Sequence, residues 1–212
     1  MDTIKNYITK NDDVDTDRVY IGGCSNGGFM TMNMIIQYPE YWAASYQVCE
    51  AYPFMVFKKD ENGNYIFEND SKFPAITNER WLTDEKLNKI KNIPIWFIQS
   101  EDDIVSVPQS FSFPTYKELL KMGVKNCWYS FFENVKGVDI PEMKYFGHWS
   151  WIWLFNDQVN AVQDREKILN SNDNVSYGFV ASNNGGGFKN AVDEKGTYNS
   201  IFAWLNAQIK NH

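Results

Sequence analysis

The stretch RVYIGGCSNGGFMTMNMIIQYP, residues 18–39, constrains the fold more than any other part of this chain. A short apolar run ends in glycine. A run apolar nearly all round follows and is stopped by Pro39. The first reads as a strand and the second as a buried helix. Between them Gly23-Cys24-Ser25-Asn26-Gly27 has the pattern G-x-S-x-G. In that context the pattern predicts a sharp strand-to-helix turn with the serine hydroxyl exposed at its tip. The residues two before and two after the serine crowd each other there, so glycine is expected at both. The N–H of Asn26, at the start of the helix, is the expected donor to a developing oxyanion. Cys24 is a poorer candidate nucleophile, because the residue before the tip points elsewhere.

A serine hydroxyl needs a base, and the base needs an orienting acid. The chain has two histidines, His148 and the terminal His212. The first sits in KYFGHWSW, a loop expected after a strand, and is the candidate base. The acid is expected after a buried strand lying between serine and histidine in the chain. IPIWFIQSEDDIVSVPQS, residues 93–110, supplies such a strand followed by Glu101, Asp102 and Asp103. Asp102 is the expected acid, with Asp103 the alternative one residue on.

The rest of the chain alternates helix and strand. Residues 1–10 read as a short helix with Ile4, Tyr7 and Ile8 on one stripe. WAASYQVCEAY and NCWYSFFENV read as strands. TDEKLNKIKN reads as a helix capped by Thr83, and PQSFSFPTYKELLKMG as one ending at Gly123. TYNSIFAWLNAQIK is a last amphipathic helix. The alternation predicts an α/β architecture, a mostly parallel sheet flanked by helices. At 212 residues the chain is expected to form a single domain, with polar excursions near 53–81 and 156–196 that read as insertions.

Composition excludes several classes of function. A net charge of −7 lacks the clustered Lys and Arg of a nucleic-acid or anionic-membrane surface. No apolar run approaches a membrane span, and residues 1–10 do not read as a basic-then-apolar leader. The three cysteines, Cys24, Cys49 and Cys127, are in no metal-ligand spacing and read as buried free thiols. With histidine so scarce, neither a metal centre nor any other cofactor is expected.

Three segments together resemble the predicted-peptidase, polyhydroxybutyrate-depolymerase-like and feruloyl-esterase group of α/β-hydrolases. They are DTDRVYIGGCSNGGFMTMNMIIQYPEYWAA, IPIWFIQSEDDIVSVPQS and YFGHWSW. The likeness covers most of residues 1–155 and the last helix. Laid without a gap on the group's acid motif, Ile104, Val105 and Ser110 match when Asp102 is the acid; Ser106 stands where the group usually has proline. Trp151 matches the group's tryptophan three residues after the histidine and is the expected substrate contact. The resemblance implies an α/β-hydrolase fold and cleavage of a small-molecule or polysaccharide-linked carboxylic ester through Ser25, His148 and Asp102. It also implies an extracellular setting.

The group places several strands before the serine turn, where this chain has one helix and one strand. The loop bearing the second oxyanion donor belongs to that region. Three accounts are open: an N-terminally truncated fold, completion of the sheet by another chain, or substitution by the NNGGG run, Asn183 to Gly187. The first two carry the expectation of self-association and weak activity, so the alternatives to an esterase are an interaction module that retains the triad and a serine peptidase of the same fold.

Overall fold

The computed structural model describes residues 1–68, 73–137, 140 and 142–210. His212 and part of the first polar excursion lie outside them. Four parallel strands form the central sheet: β1 (Tyr20–Cys24), β2 (Ala44–Val48), β5 (Ile95–Ser100) and β6 (Cys127–Phe132), in the order β1-β2-β5-β6. Every residue of β5 and β6 is buried. Such continuous burial is what a parallel sheet covered on both faces requires, and it explains why these strands read as unbroken apolar runs.

One face is covered by α2 (Asn26–Gln37), α3 (Asp84–Ile90), α4 (Ser112–Lys121) and α6 (Arg165–Asn170). Its core contains Met32, Ile35, Leu87, Phe97, Phe113 and Tyr129. The Phe113 and Phe179 rings stack there with centroids 3.8 Å apart. The other face carries α5 (Trp151–Phe155), α7 (Ile201–Ala207) and the hairpin of β9 (Ala191–Asp193) and β10 (Gly196–Tyr198). Trp96 of β5 meets Trp204 of α7 edge-on at 5.3 Å. Thr83 caps α3 as expected, and Gly123 ends α4 with φ +77°.

Two local expectations change. The helix α1 (Asp2–Thr9) forms, but it buries no residue, and Ile4 and Tyr7 are exposed. The helix α2 is not buried all round: Met30 stands 54% exposed, while Met32, Ile35 and Ile36 face the sheet. A surface helix needs only one apolar stripe, and the outward-facing Met30 made the run look more uniform than its packing is.

The two polar excursions take different places. From Met55 onward the first forms an antiparallel hairpin, β3 (Met55–Phe57) with β4 (Ile76–Arg80). The second lies along the outer edge of β6. Gln163 N–H donates to Tyr129 O at 2.8 Å, Phe131 N–H to Gly186 O at 2.7 Å, and Ser182 N–H to Phe131 O at 2.9 Å. The edge that a strand as apolar as β6 would otherwise expose is thereby paired. At the opposite edge, among the described residues, β1 has backbone partners only on its β2 side. Two short strands, β7 (Val135–Lys136) and β8 (Lys144–Tyr145), form a separate antiparallel pair.

Gly186 holds the covered edge with φ +84°, and a Cβ there would stand 2.6 Å from Ser130 Cβ. Gly186→Ala is expected to lower unfolding stability by about 2–4 kcal/mol, the left-handed strain and the clash adding. Urea denaturation checks this as a lower midpoint with an unchanged slope.

Candidate active site

The site stands at the C-terminal ends of the parallel strands, where β1, β2 and β5 release the chain into loops. β1 ends at Cys24, and Ser25 follows with φ 57° and ψ −119°, a conformation L-residues rarely adopt. The turn is held by Ser25 N–H donating to Val48 O at 2.9 Å and by Phe29 N–H closing back on Ser25 O at 3.0 Å. A Cβ on Gly23 would run into the backbone of Gly27, and one on Gly28 would lie 2.7 Å from Glu50 Cβ. A Cβ on Gly27 would meet nothing within 4 Å. The crowding expected of both flanking glycines therefore falls on Gly23 alone. Gly27 contributes only backbone to it, and the second close approach belongs to Gly28.

His148 reaches the serine from the loop after β8. Its Nε2 lies 2.8 Å from Ser25 Oγ. Its Nδ1 lies 2.9 Å from Oδ2 and 3.1 Å from Oδ1 of Asp103. The expected partner was Asp102, and the geometry corrects it by one residue. After Ser100 the chain turns tightly, with Asp103 N–H on Ser100 O at 3.3 Å, and this turn sends the two carboxylates to opposite sides. Asp103 points inward, 2% exposed, and accepts from Val105 N–H at 2.8 Å, Ser106 N–H at 2.9 Å and Gln99 Nε2 at 3.2 Å. Asp102 points outward, accepts from Ser100 Oγ at 2.6 Å and pairs with Lys144 Nζ at 3.0 Å. The signal separating the two is the N–H pair of Val105 and Ser106, which depends on backbone geometry and not on residue type.

Asn26 begins α2, so its N–H is among the donors a helix leaves unpaired at its start. Trp151 begins α5, its ring edge-on to the imidazole with centroids 5.9 Å apart. The Asn183–Gly187 run lies on the outer edge of β6, across the sheet from β1 and Ser25, which removes it as a source of the second oxyanion donor.

Cys24, Cys49 and Cys127 are all free thiols. Burial pushes Cys24 up to about 11, which makes it a poor nucleophile. Cys49 follows β2 directly, with φ 41°. Its thiol, a carboxylate oxygen of Asp103 and a ring nitrogen of His148 lie within 4.8 Å of one another. The carboxylate and the imidazole already bond each other, and burial drives the thiol well above its ordinary value, away from the thiolate a metal would require.

Glu50 was not anticipated. It is buried beside the first turn of α2, its Oε2 accepts Tyr52 N–H at 2.5 Å, and its Oε1 has no partner. Burial pushes its carboxyl up to about 8, the Tyr52 N–H opposing the shift in part. A carboxylate directly after an apolar strand was the available signal.

Two outcomes follow. Gly23→Ala should abolish the serine turn, whereas Gly27→Ala should leave it intact; reaction of Ser25 with a fluorophosphonate probe distinguishes them. For Glu50, the folded chain keeps a proton that the unfolded chain releases near the ordinary value of 4.5. Stability contributed at low pH is therefore lost as pH rises from there through about 8. Glu50→Gln should be more stable than the parent at alkaline pH, with the advantage shrinking toward about pH 4; urea midpoints across that range test it, and a pH-independent difference would contradict it.

The model of the prolyl oligopeptidase family matches residues 1–133, a span that includes Ser25 and Asp103 but not His148. Among solved structures, a thermostable esterase aligns with 74% of this chain at 25% identity and a TM-score of 0.50. An acylaminoacyl peptidase of Pyrococcus horikoshii aligns with 62% of it at 21% identity and a TM-score of 0.45. The chain spans 32% of the esterase's length and 22% of the peptidase's. No curated protein matches it at a significant level.

Proposed function

Since this chain belongs to the prolyl oligopeptidase family and has the α/β-hydrolase fold, we propose that it is a serine hydrolase cleaving carboxylic esters, with Ser25 as nucleophile, His148 as base and Asp103 as orienting acid. The observation that carries this reading is the continuous chain from Ser25 Oγ through His148 Nε2, at 2.8 Å, to Asp103 Oδ2 at 2.9 Å from Nδ1.

In this mechanism Ser25 Oγ attacks the ester carbonyl while Nε2 takes its proton. The tetrahedral oxyanion accepts the N–H of Asn26 at the start of α2. His148 then returns the proton to the leaving alcohol, releasing it and forming the acyl-enzyme. Water, deprotonated by the same nitrogen, hydrolyses that ester and restores the serine. Asp103 keeps the imidazole in the tautomer whose Nε2 is free to accept, and it stabilises the imidazolium that forms. Trp151 lines the approach to the imidazole and is the proposed substrate contact.

An ester is the lesser demand on a serine, a histidine and the Asn26 N–H, because an alkoxide or phenolate leaves more readily than an amine. A second reading is an interaction module that keeps the triad with little turnover; the β1 edge, unpaired among the described residues, would be its contact.

Turnover of p-nitrophenyl acetate and butyrate is therefore expected, with little or none of the matching p-nitroanilides. Ser25→Ala should abolish it, and Asp103→Asn should lower kcat on the order of a thousand- to ten-thousand-fold. Faster cleavage of anilides than of esters would favour a peptidase. No serine-dependent turnover, together with association in light scattering, would favour the interaction module.

A further inference from the structure

Asp102 is not the acid facing the imidazole, yet it is tied on three sides. Ser100 Oγ donates to its Oδ1 at 2.6 Å. Lys144 Nζ reaches its Oδ2 at 3.0 Å. Gly147 lies flat against it, so that a Cβ there would run into both the Asp102 carbonyl and its Oδ1. Ser100 is the last residue of β5, whereas Lys144 and Gly147 flank the segment that delivers His148.

The elements around His148 explain why such a tie matters. The segment enters through β8, whose strand partner among the described residues is the two-residue β7: Val135 pairs Tyr145, and Lys136 pairs Lys144. A pairing this short is weak by itself. Beyond it, Trp149 N–H closes on Phe146 O at 2.8 Å, forming a turn around His148, and Trp151 then starts α5. The imidazole must meet both Ser25 on the β1 side and Asp103 after β5. A displacement of about 1 Å is enough to lose a large share of the rate.

We propose that Asp102 and Lys144 form a clamp that docks the histidine loop onto the acid turn, making both of them positioning residues for His148. The inference rests on the reading of Ser25, His148 and Asp103 as the triad. Asp102 provides the fixed end, anchored to the sheet by Ser100. Lys144 provides the other end, carried four residues before the imidazole. Gly147 is the point of contact, where the absence of a side chain lets the loop lie directly on the Asp102 backbone. Neither charge touches the reacting atoms.

The clamp is partly exposed, with side-chain exposures of 58% for Lys144 and 26% for Asp102, so its strength is modest and sensitive to salt. Steady-state hydrolysis of p-nitrophenyl butyrate by the full chain tests it, in low salt and in about 1 M NaCl. Asp102→Asn and Lys144→Met should each lower kcat roughly two- to fivefold in low salt with KM unchanged. The double variant should be no slower than the slower single one, and Lys144→Arg should retain most of the rate. High salt should bring the parent toward Lys144→Met while leaving that variant unchanged.

A simple loss of fold would lower the thermal midpoint and would not be rescued by arginine. Parent-like kcat for Lys144→Met in low salt would overturn the clamp, and so would additive losses in the double variant. Shifts of the acid limb of the pH–rate profile in opposite directions for the two single variants would also overturn it, because they would mean that the charges tune the imidazole rather than place it. Full activity of Asp103→Asn would instead sink the triad reading itself, which keeps the two failures apart.

Discussion

The structure turns on one close approach, the backbone of Gly23 against the backbone of Gly27. That contact lets β1 pass into α2 within a single residue, and it forces Ser25 into a conformation L-residues avoid. The strain is held by Ser25 N–H on Val48 O and by the first bond of α2 onto Ser25 O. The remaining parts of the site are placed relative to the raised hydroxyl. β2 supplies the acceptor that holds it, Gly28 admits the Glu50 backbone beside it, and α2 begins at Asn26, directly after it.

The second organising feature is a polar layer buried at the ends of the strands. Asp103 is satisfied from four directions, including the side chain of Gln99. A buried carboxylate needs that many donors to remain where an imidazole can use it. Glu50 shows the contrast. With one backbone donor and an unpartnered oxygen it is pushed toward its neutral form, a carboxyl for which the proposed chemistry has no role. Two acids that both follow buried strands thus differ in the number of donors around them.

The two edges of the sheet are treated differently. β6 is as apolar as β5, and residues 161–163 and 182–189 cover its outer side, with Gly186 allowing the close approach. β1 is shorter and only half buried, and it carries the nucleophile on the side where the described residues provide no further strand. The stacked aromatic cluster of Phe97, Phe113, Tyr129 and Phe179 lies on the β5–β6 side of the sheet, away from β1. The reactive turn sits toward the less protected side.

By itself the sequence determined the strand–turn–helix around Ser25, the buried strands at 95–100 and 127–132, the Thr83 cap and the order serine, acid, histidine. Each of these follows from local chemistry: glycines where backbones cross, unbroken apolar runs where a strand is covered on both faces, and a side-chain oxygen where a helix leaves N–H groups unpaired. Scarcity identified His148 equally well, since only one histidine lies within the chain's interior. Only the tertiary structure decided between Asp102 and Asp103. Neighbouring carboxylates in one turn have the same composition, and the direction each faces depends on the turn after Ser100 and on the donors waiting at Val105, Ser106 and Gln99. It also decided that α1 buries none of its apolar stripe and that the glycine run at 183–187 serves the far edge of the sheet, because both depend on what lies opposite in space.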